Sequence, residues 1–523
     1  MRKTKIVMVL VWFVSLLGLV SAEKVNVLFI PIDDLKPLLG CYGYGEVHSP
    51  NIDRLAKRGT VFTNSSCQQA ICGPSRASLM TGRYPNSTKV FDLATKMRDV
   101  NPDILSIPQY FKQNGYVTTG IGKTYDPRCV DKFLDQPSWS RPYVKNSYFR
   151  KDNNYSGGYR NPKTVELNRK VMGILKKQKV KEKSKKKKIF RDNPGSKPVT
   201  ECADVKDDMY TDGDNTSRAI EMMKELANGD EPFFFSVGYS KPHLPFVAPK
   251  KYWDMYDRSE IKLSAKEGKI QGIPSWVYQI GTEMRQGYTG VPAEGNIPKE
   301  MKLELIHGYL ACVSYIDAQV GRLLDTLDEL GIADNTVVCL WGDHGFHLGD
   351  HENWCKHSNF EEAVRVPLII SSPKQKQKGA KSSSPVELVD IFPTLCEVSG
   401  LNIPSVVEGK SIMAQLDDAN AKVRKAALHQ YPRRVEGKPA MGYSLRTERY
   451  RYVKWLKMDY KKGARKGELC GRELYDFQND PLETTNIAGK KSSSDLVVNF
   501  EKMLKERGVA QHTKVRKDAF GMN

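Results

Sequence analysis

The sequence predicts an α/β protein. We expect a large domain with a central mixed, mostly parallel sheet flanked by helices, and a smaller C-terminal α+β subdomain with an antiparallel sheet. Short, continuously apolar segments alternate with helical patterns along most of the chain, which is typical of strands buried on both faces. Towards the C-terminus the pattern changes to alternating polar and apolar residues, which favours strands with one exposed face. We place the large domain at residues 23–420 and the C-terminal subdomain at residues 421–523.

Length and composition exclude several classes of protein. The 523 residues are enough for about two to four domains. A content of 40% apolar and 27% charged residues is ordinary for a globular chain. A disordered protein, a collagen-like fibre and a multi-span membrane protein are therefore excluded. The net charge of +20 favours acidic partners.

Residues 1–22 have the pattern of a secretory signal peptide. A basic start precedes an apolar run over residues 6–20, and the small residues Ser21 and Ala22 mark a cleavage site. The alternative is a membrane anchor, although the run is slightly shorter than the roughly 17 residues that a span requires. We expect an exported mature chain without stable membrane insertion, which is periplasmic, secreted or lysosome-like depending on the host.

One segment of the large domain, residues 176–188, carries a large share of the positive charge. Its nine lysines and one glutamate give it a net charge of +8. Because like charges at this density repel one another, we expect a mobile, solvated loop inserted into the domain. The functional alternative is an arm that binds polyanions. Nucleic acid is not an expected partner, since the chain is exported and aromatic residues do not interleave the lysines.

The elements of the large domain follow from apolar patterns. Four apolar segments are predicted as strands, at residues 25–30, 233–237, 336–341 and 367–371. Pro31 is expected to end the first strand. Apolar residues spaced by three and four over residues 303–327 predict a long amphipathic helix. Asp317 falls on its apolar stripe, where we expect a structural role with hydrogen-bonded oxygens.

The C-terminal elements follow from alternation and turn residues. Residues 440–457 alternate as in strands, with a hairpin turn predicted at residues 446–449. A further strand is predicted at residues 473–477 and a helix at residues 494–507. The basic residues after this helix are expected to be frayed.

Acidic and imidazole side chains follow two of the predicted strands. Asp33 and Asp34 come just after the first strand, and Asp343 and His344 come just after the strand at residues 336–341. In open α/β sheets, ligands bind outside the carboxyl ends of strands, so neighbouring strands would bring these side chains together. Three carboxylates repel one another unless a cation neutralises them, and oxygen ligands favour Ca²⁺ or Mg²⁺. Taken singly, two acids after a strand more often cap a helix or form a turn.

The segment Cys72-Gly73-Pro74-Ser75-Arg76 precedes a helical pattern and is the most informative motif. A cysteine at a helix N-terminus lies in a positive field, which activates the thiol or an anion beside it. Arg76 adds a bidentate donor for oxyanions. Charge alone predicts a thiolate nucleophile.

The segment that begins at Cys72 and continues to Thr81-Gly82-Arg83-Tyr84-Pro85 resembles the signature of the type I sulfatases, which belong to the alkaline-phosphatase superfamily. Residues 115–123, which end in Lys123, resemble a second motif of this family. The segments 240–246 and 356–360 are most similar to its iduronate-2-sulfatase branch. The resemblance extends from residue 25 to residue 481.

The resemblance implies that residue 72 is converted from cysteine to formylglycine during export by a formylglycine-generating enzyme. It further implies one divalent cation, usually Ca²⁺ and less often Mg²⁺, held by Asp33, Asp34, Asp343, His344 and modified residue 72. In this family one hydroxyl of the aldehyde hydrate attacks sulfur, and the second hydroxyl then allows sulfate to leave.

The same resemblance implies roles for the remaining site residues. Arg76 would steady the hydrate, Lys123 and Lys356 would bind and neutralise the sulfate oxygens, and His243 would protonate the leaving oxygen. One position departs from the pattern, because Asp126 stands where iduronate-2-sulfatases have a histidine. Asp126 could accept a proton in place of the histidine, although it would be anionic in a metal-rich site. The alternatives are that it contacts the substrate or a lysine.

The resemblance implies an exported sulfatase that acts on a sulfated oligosaccharide or polysaccharide. A phosphodiesterase or phosphonate hydrolase of the same superfamily is one alternative. A non-catalytic polyanion-binding protein is the other, although such a protein would more plausibly have lost at least one of the site residues.

Overall fold

The computed structural model describes residues 24–145, 158–266, 268–279 and 281–522. The predicted signal peptide at residues 1–22 lies outside these residues. Within the described ranges, no helix combines the length and the apolar character that a bilayer span requires.

Helices and strands alternate along the described residues. The helices are α1 (Pro50–Arg58), α2 (Cys72–Thr81), α3 (Pro85–Thr88), α4 (Met97–Val100), α5 (Ile107–Gln113), α6 (Pro162–Lys177), α7 (Lys183–Arg191), α8 (Thr211–Ala227), α9 (Lys250–Trp253), α10 (Thr282–Gly287), α11 (Lys299–Glu329), α12 (Glu361–Val364), α13 (Ile391–Val398), α14 (Met413–Asp417) and α15 (Ser494–Glu506). The strands are β1 (Asn26–Ile32), β2 (Thr60–Phe62), β3 (Ser65–Ser66), β4 (Val117–Gly122), β5 (Thr200–Ala203), β6 (Phe233–Gly238), β7 (Phe246–Pro249), β8 (Thr336–Gly342), β9 (His347–Leu348), β10 (Trp354–Cys355), β11 (Leu368–Ser371), β12 (Ala380–Ser382), β13 (Val386–Glu387), β14 (Ala427–Val435), β15 (Lys438–Arg446), β16 (Tyr450–Lys457), β17 (Lys466–Asp476) and β18 (Gln511–Phe520).

The central sheet has seven strands in the order β12-β2-β11-β8-β1-β6-β4. Strand β11 runs antiparallel to both of its neighbours, whereas the other neighbouring pairs are parallel. The prediction of a mixed, mostly parallel sheet is therefore confirmed. Its central strands are buried along their length, because helices cover both faces. The predicted strand end at Pro31 is wrong, since β1 continues to Ile32 and Pro31 pairs in register with Trp341.

The long helix α11 packs beside α1, and a buried carboxylate joins the two. Asp317 accepts hydrogen bonds from the backbone N–H groups of Asn51 and Ile52 and from the Asn51 side chain. These donors lie in the first turn of α1, where N–H groups have no partner within the helix. The expected structural role of Asp317 is therefore confirmed.

The C-terminal sheet has five strands in the order β14-β15-β16-β17-β18. The first three pairings are antiparallel and include the predicted hairpin between β15 and β16. The prediction that the last residues are frayed is wrong, because β18 pairs in parallel with β17. Phe520 anchors the strand by packing against the Trp276 ring at a centroid distance of 5.7 Å, and Lys514 forms an ion pair with Glu468. The predicted domain boundary at residues 420 and 421 falls between α14 and β14 and stays a prediction.

The prediction of a mobile loop at residues 176–188 is also wrong for most of the segment, because residues 176–177 end α6 and residues 183–188 belong to α7, with a short connection at residues 178–182. Lysine is a good helix former, and the exposed side chains spread their charges around α7. The buried Val171 and Leu175 anchor α6. Lys187 Nζ donates a hydrogen bond to Gln286 Oε1 at 3.0 Å, so one side chain of α7 reaches α10.

Candidate active site

The two acidic pairs meet because strands β1 and β8 are parallel neighbours. Ile32 pairs in register with Gly342, so both chains leave the sheet at the same edge. The backbone N–H of Asp34 then donates a hydrogen bond to Asp343 Oδ1 at 3.1 Å. The sequence-based expectation that these strand ends converge is confirmed.

The imidazole of His344 faces the carboxylates. Its Nδ1 lies 3.0 Å from the backbone carbonyl oxygen of Gly345, which orients Nε2 towards the acids. Nε2 lies 3.3 Å from Asp34 Oδ1 and 3.6 Å from Asp343 Oδ1. Asp33, Asp34, Asp343 and His344 are all fully buried.

Cys72 is the first residue of helix α2, and every residue of this helix is buried. Its Sγ lies 3.3 Å from His344 Nε2. Burial, followed by the charge of Asp33, raises the pKa of the Cys72 thiol well above its ordinary value. The plain thiolate nucleophile that the helix N-terminus suggested is therefore not favoured here. An unmodified thiol at this position would be protonated and weakly reactive.

The residues present fit a hard divalent cation. Ligand atoms of Asp33, Cys72, Asp343 and His344 lie within 4.8 Å of one another, and so do those of Asp33, Asp34, Cys72 and His243. Burial raises the pKa of Asp343, and the charges of Asp33 and Asp34 add to this effect. Several carboxylates this close and this buried require positive charge between them, and their oxygens suit Ca²⁺ or Mg²⁺.

Arg76 orients two of these acids. Its Nε donates to Asp343 Oδ2 at 2.9 Å, and its Nη2 donates to Asp33 Oδ1 at 3.2 Å. Its Nη1 donates to the backbone carbonyl oxygens of Lys123 and Thr124. The guanidinium is fully buried, so its contacts are with the acids and the backbone. The geometry therefore favours a role in holding the acids over direct contact with a reacting group.

Two lysines border the carboxylate cluster. Lys123 Nζ donates to Asp33 Oδ2, and Lys356 Nζ donates to both oxygens of Asp34 at 2.9 Å. Burial opposes ionisation of Asp33, but Lys123 and other nearby cations outweigh it and hold its pKa well below the ordinary value. Both lysines therefore present fixed positive charge to the pocket.

His243 lies on the loop between β6 and β7, with a ring nitrogen within 4.8 Å of Cys72 Sγ. Its Nδ1 lies 2.6 Å from the backbone carbonyl oxygen of Leu244, so Nε2 faces the site and lies 4.0 Å from Asp34 Oδ2. Lys241 holds this loop by donating from Nζ to the carbonyl oxygens of His243 and Pro245. Lys241 is therefore buried and structural in this structure.

Glu283 on α10 is a site residue that the sequence analysis missed. Its Oε1 lies 3.1 Å from His243 Nε2, and its Oε2 lies 3.2 Å from Lys356 Nζ. Burial favours the neutral carboxyl, but Lys356 and His243 hold the pKa of Glu283 well below its ordinary value. The segment around Glu283 carries no recognisable motif, so only the tertiary structure reveals it.

Asp126 lies at the edge of the cluster. Its Oδ1 accepts hydrogen bonds from the backbone N–H and the Nε of Arg128 at 3.0 and 2.9 Å, and its Oδ2 accepts from Arg128 Nη2 at 2.6 Å. None of the sequence-based alternatives, proton acceptance, contact with substrate or contact with a lysine, anticipated this arginine partner. Arg128 was also missed by the sequence analysis.

Family and sequence comparisons agree with this geometry. A family model described as Sulfatase matches residues 25–401. The chain belongs to the sulfatase family. A second model, described as N-sulphoglucosamine sulphohydrolase, C-terminal, matches residues 349–510. This sulfatase is 33% identical to iduronate 2-sulfatase from Homo sapiens, over 91% of this chain and 93% of the human protein. It is 29% identical to a sulfatase from Formosa agariphila, over 90% of this chain and 84% of the relative.

Solved structures share the fold of this sulfatase. The phosphonate monoester hydrolase of Silicibacter pomeroyi superposes with a TM-score of 0.68 and 23% identity, covering 92% of this chain and 95% of that chain. At this identity the likeness establishes the fold. The sulfatase therefore has the alkaline-phosphatase-like α/β fold with a C-terminal sheet domain, as the sequence predicted.

Proposed function

We propose that this sulfatase is an exported enzyme that removes sulfate groups from a sulfated carbohydrate. In this proposal residue 72 is a formylglycine and Ca²⁺ is the bound cation. The observation that carries the proposal is the placement of Cys72. Its Sγ lies 3.3 Å from His344 Nε2, and Asp33, His344 and Asp343 each offer a ligand atom in the same cluster.

The proposed ligands of the cation are Asp33, Asp34, Asp343, His344 and modified residue 72. When bound, the cation supplies Lewis acidity for the sulfate oxygens, and formylglycine supplies a hydroxyl nucleophile at residue 72. Arg76 fixes Asp33 and Asp343 in place, so the ligand cage is formed before substrate binds. This arrangement limits the reorganisation needed during the reaction.

The proposed anion-binding groups are Lys123 and Lys356. Both ammonium groups lie against acids of the cation site, within reach of an anion bound to the same centre. Burial opposes their charge, but the surrounding acids raise the pKa of each lysine, so both stay protonated. Fixed charges in a buried site stabilise the negative charge that develops on sulfate oxygens more than water would.

His243 is the proposed general acid for the leaving oxygen. Its Nε2 faces the pocket and is paired with Glu283 Oε1. Burial lowers the pKa of His243, but Asp34 and Glu283 outweigh burial, so the net shift is upward. A protonated imidazole in this position can donate its proton to an alkoxide as the ester bond breaks.

A sulfated carbohydrate is the proposed substrate class. The human relative is named iduronate 2-sulfatase and covers nearly the whole chain, which supports an iduronate-2-sulfatase-like specificity. Lys187 of α7 contacts Gln286 of α10, the helix that carries Glu283, and the other lysines of α7 are exposed. This positive charge suits a polyanionic glycan. The predicted signal peptide supports export to a periplasmic, extracellular or lysosome-like compartment, with maturation by a formylglycine-generating enzyme.

Mass spectrometry of the peptide that carries residue 72, combined with ester assays, tests this proposal. We expect the mass of an aldehyde at residue 72, release of sulfate from sulfated oligosaccharides, and loss of turnover in Cys72→Ala with the fold retained. Comparison of sulfate esters with phosphodiesters and phosphonate monoesters separates the proposal from the alternative hydrolase. A thiol at residue 72 in active enzyme, or preference for phosphorus esters, would contradict it.

A further inference from the structure

The side chain of Arg128 is held in a fixed orientation by Asp126. Two guanidinium nitrogens, Nε and Nη2, donate to the two carboxylate oxygens of Asp126 at 2.9 and 2.6 Å. This fork geometry fixes the guanidinium plane as well as its position. Asp126 is 1% exposed, whereas the side chain of Arg128 is 51% exposed, so the buried acid presents the arginine to solvent.

The Asp126–Arg128 pair lies beside the N-terminus of α2. The segment is tied down by the backbone N–H of Cys129, which donates to the carbonyl oxygen of Asp126 at 3.0 Å. The sulfur of Cys129 fills the position that a Cβ on Gly73 would occupy, so the segment packs directly next to Cys72. The hydrogen bonds that Arg128 donates to Asp126, together with the negative charge of this carboxylate, outweigh burial and raise the pKa of Arg128 above its ordinary value.

Arg128 differs from the other cations of the site because part of its guanidinium is open. Lys123 and Lys356 contact Asp33 and Asp34, and all three guanidinium nitrogens of Arg76 have partners. Across the residues that the structure describes, no hydrogen bond is made by Nη1 of Arg128. A charged donor with a fixed plane and an open side suits an incoming carboxylate or sulfate.

We propose that Arg128, positioned by Asp126, is a second anion subsite at the mouth of the active site. It binds an anionic group of the substrate, a carboxylate or a second sulfate, that lies beyond the sulfate being removed. This inference rests on the proposed function. It gives Asp126 a positioning role in place of the direct substrate contact that the sequence suggested.

The pairing of Asp126 with Arg128 also argues against a role of Asp126 in proton transfer. Burial opposes its ionisation, but the hydrogen bonds from Arg128 and the charge of Lys123 lower the pKa of Asp126 to about 2. A carboxylate with so low a pKa binds protons weakly and is a poor base near neutral pH. The position that holds a histidine in the iduronate-2-sulfatase branch therefore orients a cation in this chain.

Kinetics on three matched disaccharides test the subsite. The first carries one sulfate and a carboxylate, the second has the carboxylate reduced to an alcohol, and the third has the reduced carboxylate and a second sulfate. The first and third disaccharides carry two negative charges, and the second carries one. For Arg128→Ala we expect kcat/KM on one or both of the dianionic disaccharides to fall at least tenfold more than kcat/KM on the second. This is the loss expected when a charged hydrogen bond is removed. The substrate that loses more identifies the anion. Equal losses on all three substrates would overturn the proposal.

A double-mutant cycle tests the positioning role of Asp126. The quantity compared is the ratio of kcat/KM on the dianionic disaccharide to kcat/KM on the monoanionic one. We expect Asp126→Asn to lower this ratio by a smaller factor than Arg128→Ala does. The double variant should lower it no further than Arg128→Ala alone. The pH profile of Asp126→Asn should keep its shape. Additive losses, or a pH limb that disappears in Asp126→Asn, would overturn this role.

The chain offers a matched control in Arg449, whose Nε and Nη2 donate to Asp476 at 2.7 and 2.6 Å. Its side chain is 41% exposed and lies at the turn before β16. Arg449→Ala should leave the substrate ratio unchanged. A similar drop in this variant would mean that loss of any such pair lowers the ratio, and would overturn the proposal.

Binding gives a readout that does not depend on turnover. In a Cys72→Ala background, calorimetry should show that Arg128→Ala raises the Kd of the preferred dianionic disaccharide at least tenfold and that of inorganic sulfate much less. Unchanged Kd values would overturn the subsite while leaving the sulfatase function intact. If wild-type enzyme with confirmed formylglycine cleaves aryl sulfates but neither cleaves nor binds any of the saccharides, the carbohydrate function fails and the subsite fails with it.

Discussion

Glu283 Oε1 lies 3.1 Å from His243 Nε2, although the two residues come from different segments and only His243 lies in a recognisable motif. The second oxygen of Glu283 contacts Lys356. One carboxylate therefore orients both the proposed general acid and a proposed sulfate-binding lysine. Its loss should affect the departure of the alcohol and the binding of the anion together.

For Glu283→Gln we expect kcat/KM on alkyl sulfates to fall by about 10- to 100-fold, because the amide keeps the shape but no longer holds the charge of its two partners. Steady-state kinetics with a purified variant of confirmed formylglycine content measure this effect. Glu300→Gln, at an exposed position on α11, is the matched control. Activity equal to that of the wild type would contradict the proposed role.

For His243→Ala we expect a loss of about 10²- to 10⁴-fold on substrates with poor leaving groups and a much smaller loss on activated aryl sulfates, which need no proton to leave. A plot of log kcat against leaving-group pKa should therefore become steeper. His512→Ala, on β18, is the control. Equal losses on both kinds of ester would argue against the acid role.

Removal of the cation by a chelator should abolish turnover. Ca²⁺ should restore turnover more fully than Mg²⁺, because the acids offer several oxygen ligands and the ligand atoms of the site lie within 4.8 Å of one another. The thermal midpoint of the metal-free protein should also fall, because a cation that binds only the folded state stabilises that state. Differential scanning calorimetry with and without added ions measures this change. Full activity in protein shown by elemental analysis to be metal-free would exclude the cation.

Neutralising α7 should weaken binding of polymeric substrates more than small ones. In a variant with Lys183, Lys185, Lys186 and Lys187 changed to Gln, we expect KM for a sulfated polysaccharide to rise several-fold and to depend less on salt, because fewer charges attract the polyanion. KM for an aryl sulfate should stay the same. The control is Gln replacement of the exposed Lys374, Lys376 and Lys378. An equal rise in KM for both variants would contradict a specific role of α7.

Asp317 should make stability depend on pH. Burial raises its pKa to about 6, so the folded state binds this proton more tightly than the unfolded state and loses stability as pH rises from about 4 to about 6. Relative to that of Asp317→Asn, the free energy of unfolding of the wild type should therefore fall by about 2–3 kcal/mol across this pH window. Urea unfolding at several pH values measures the difference, with Asp495→Asn as an exposed control. A difference independent of pH would contradict the prediction.

Much of the fold and most of the site could be predicted because their signals are local. Asp33 and Asp343 each follow an apolar strand directly, and Cys72 begins a recognisable helix. Glu283 and Arg128 could not be predicted, because their roles depend on where α10 and the segment after β4 lie in the tertiary structure. The sequence marks neither segment with a functional pattern.

Two local predictions were wrong for a different reason. Residues 176–188 were judged by charge density, but helix propensity and the apolar anchors Val171 and Leu175 outweigh the repulsion. The final residues were judged by their position at the terminus, but Phe520 and the ion pair of Lys514 attach them to the sheet. In both cases a few anchoring contacts decide the structure of a highly charged segment.

The burial of α2 has a consequence for the order of events during biosynthesis. Cys72 is 1% exposed, and the whole first turn around it is enclosed. Under the proposed function, the enzyme that oxidises this thiol must reach a side chain that the folded molecule encloses. In that proposal maturation precedes tertiary packing, and a chain that folds first keeps its thiol and lacks the proposed nucleophile.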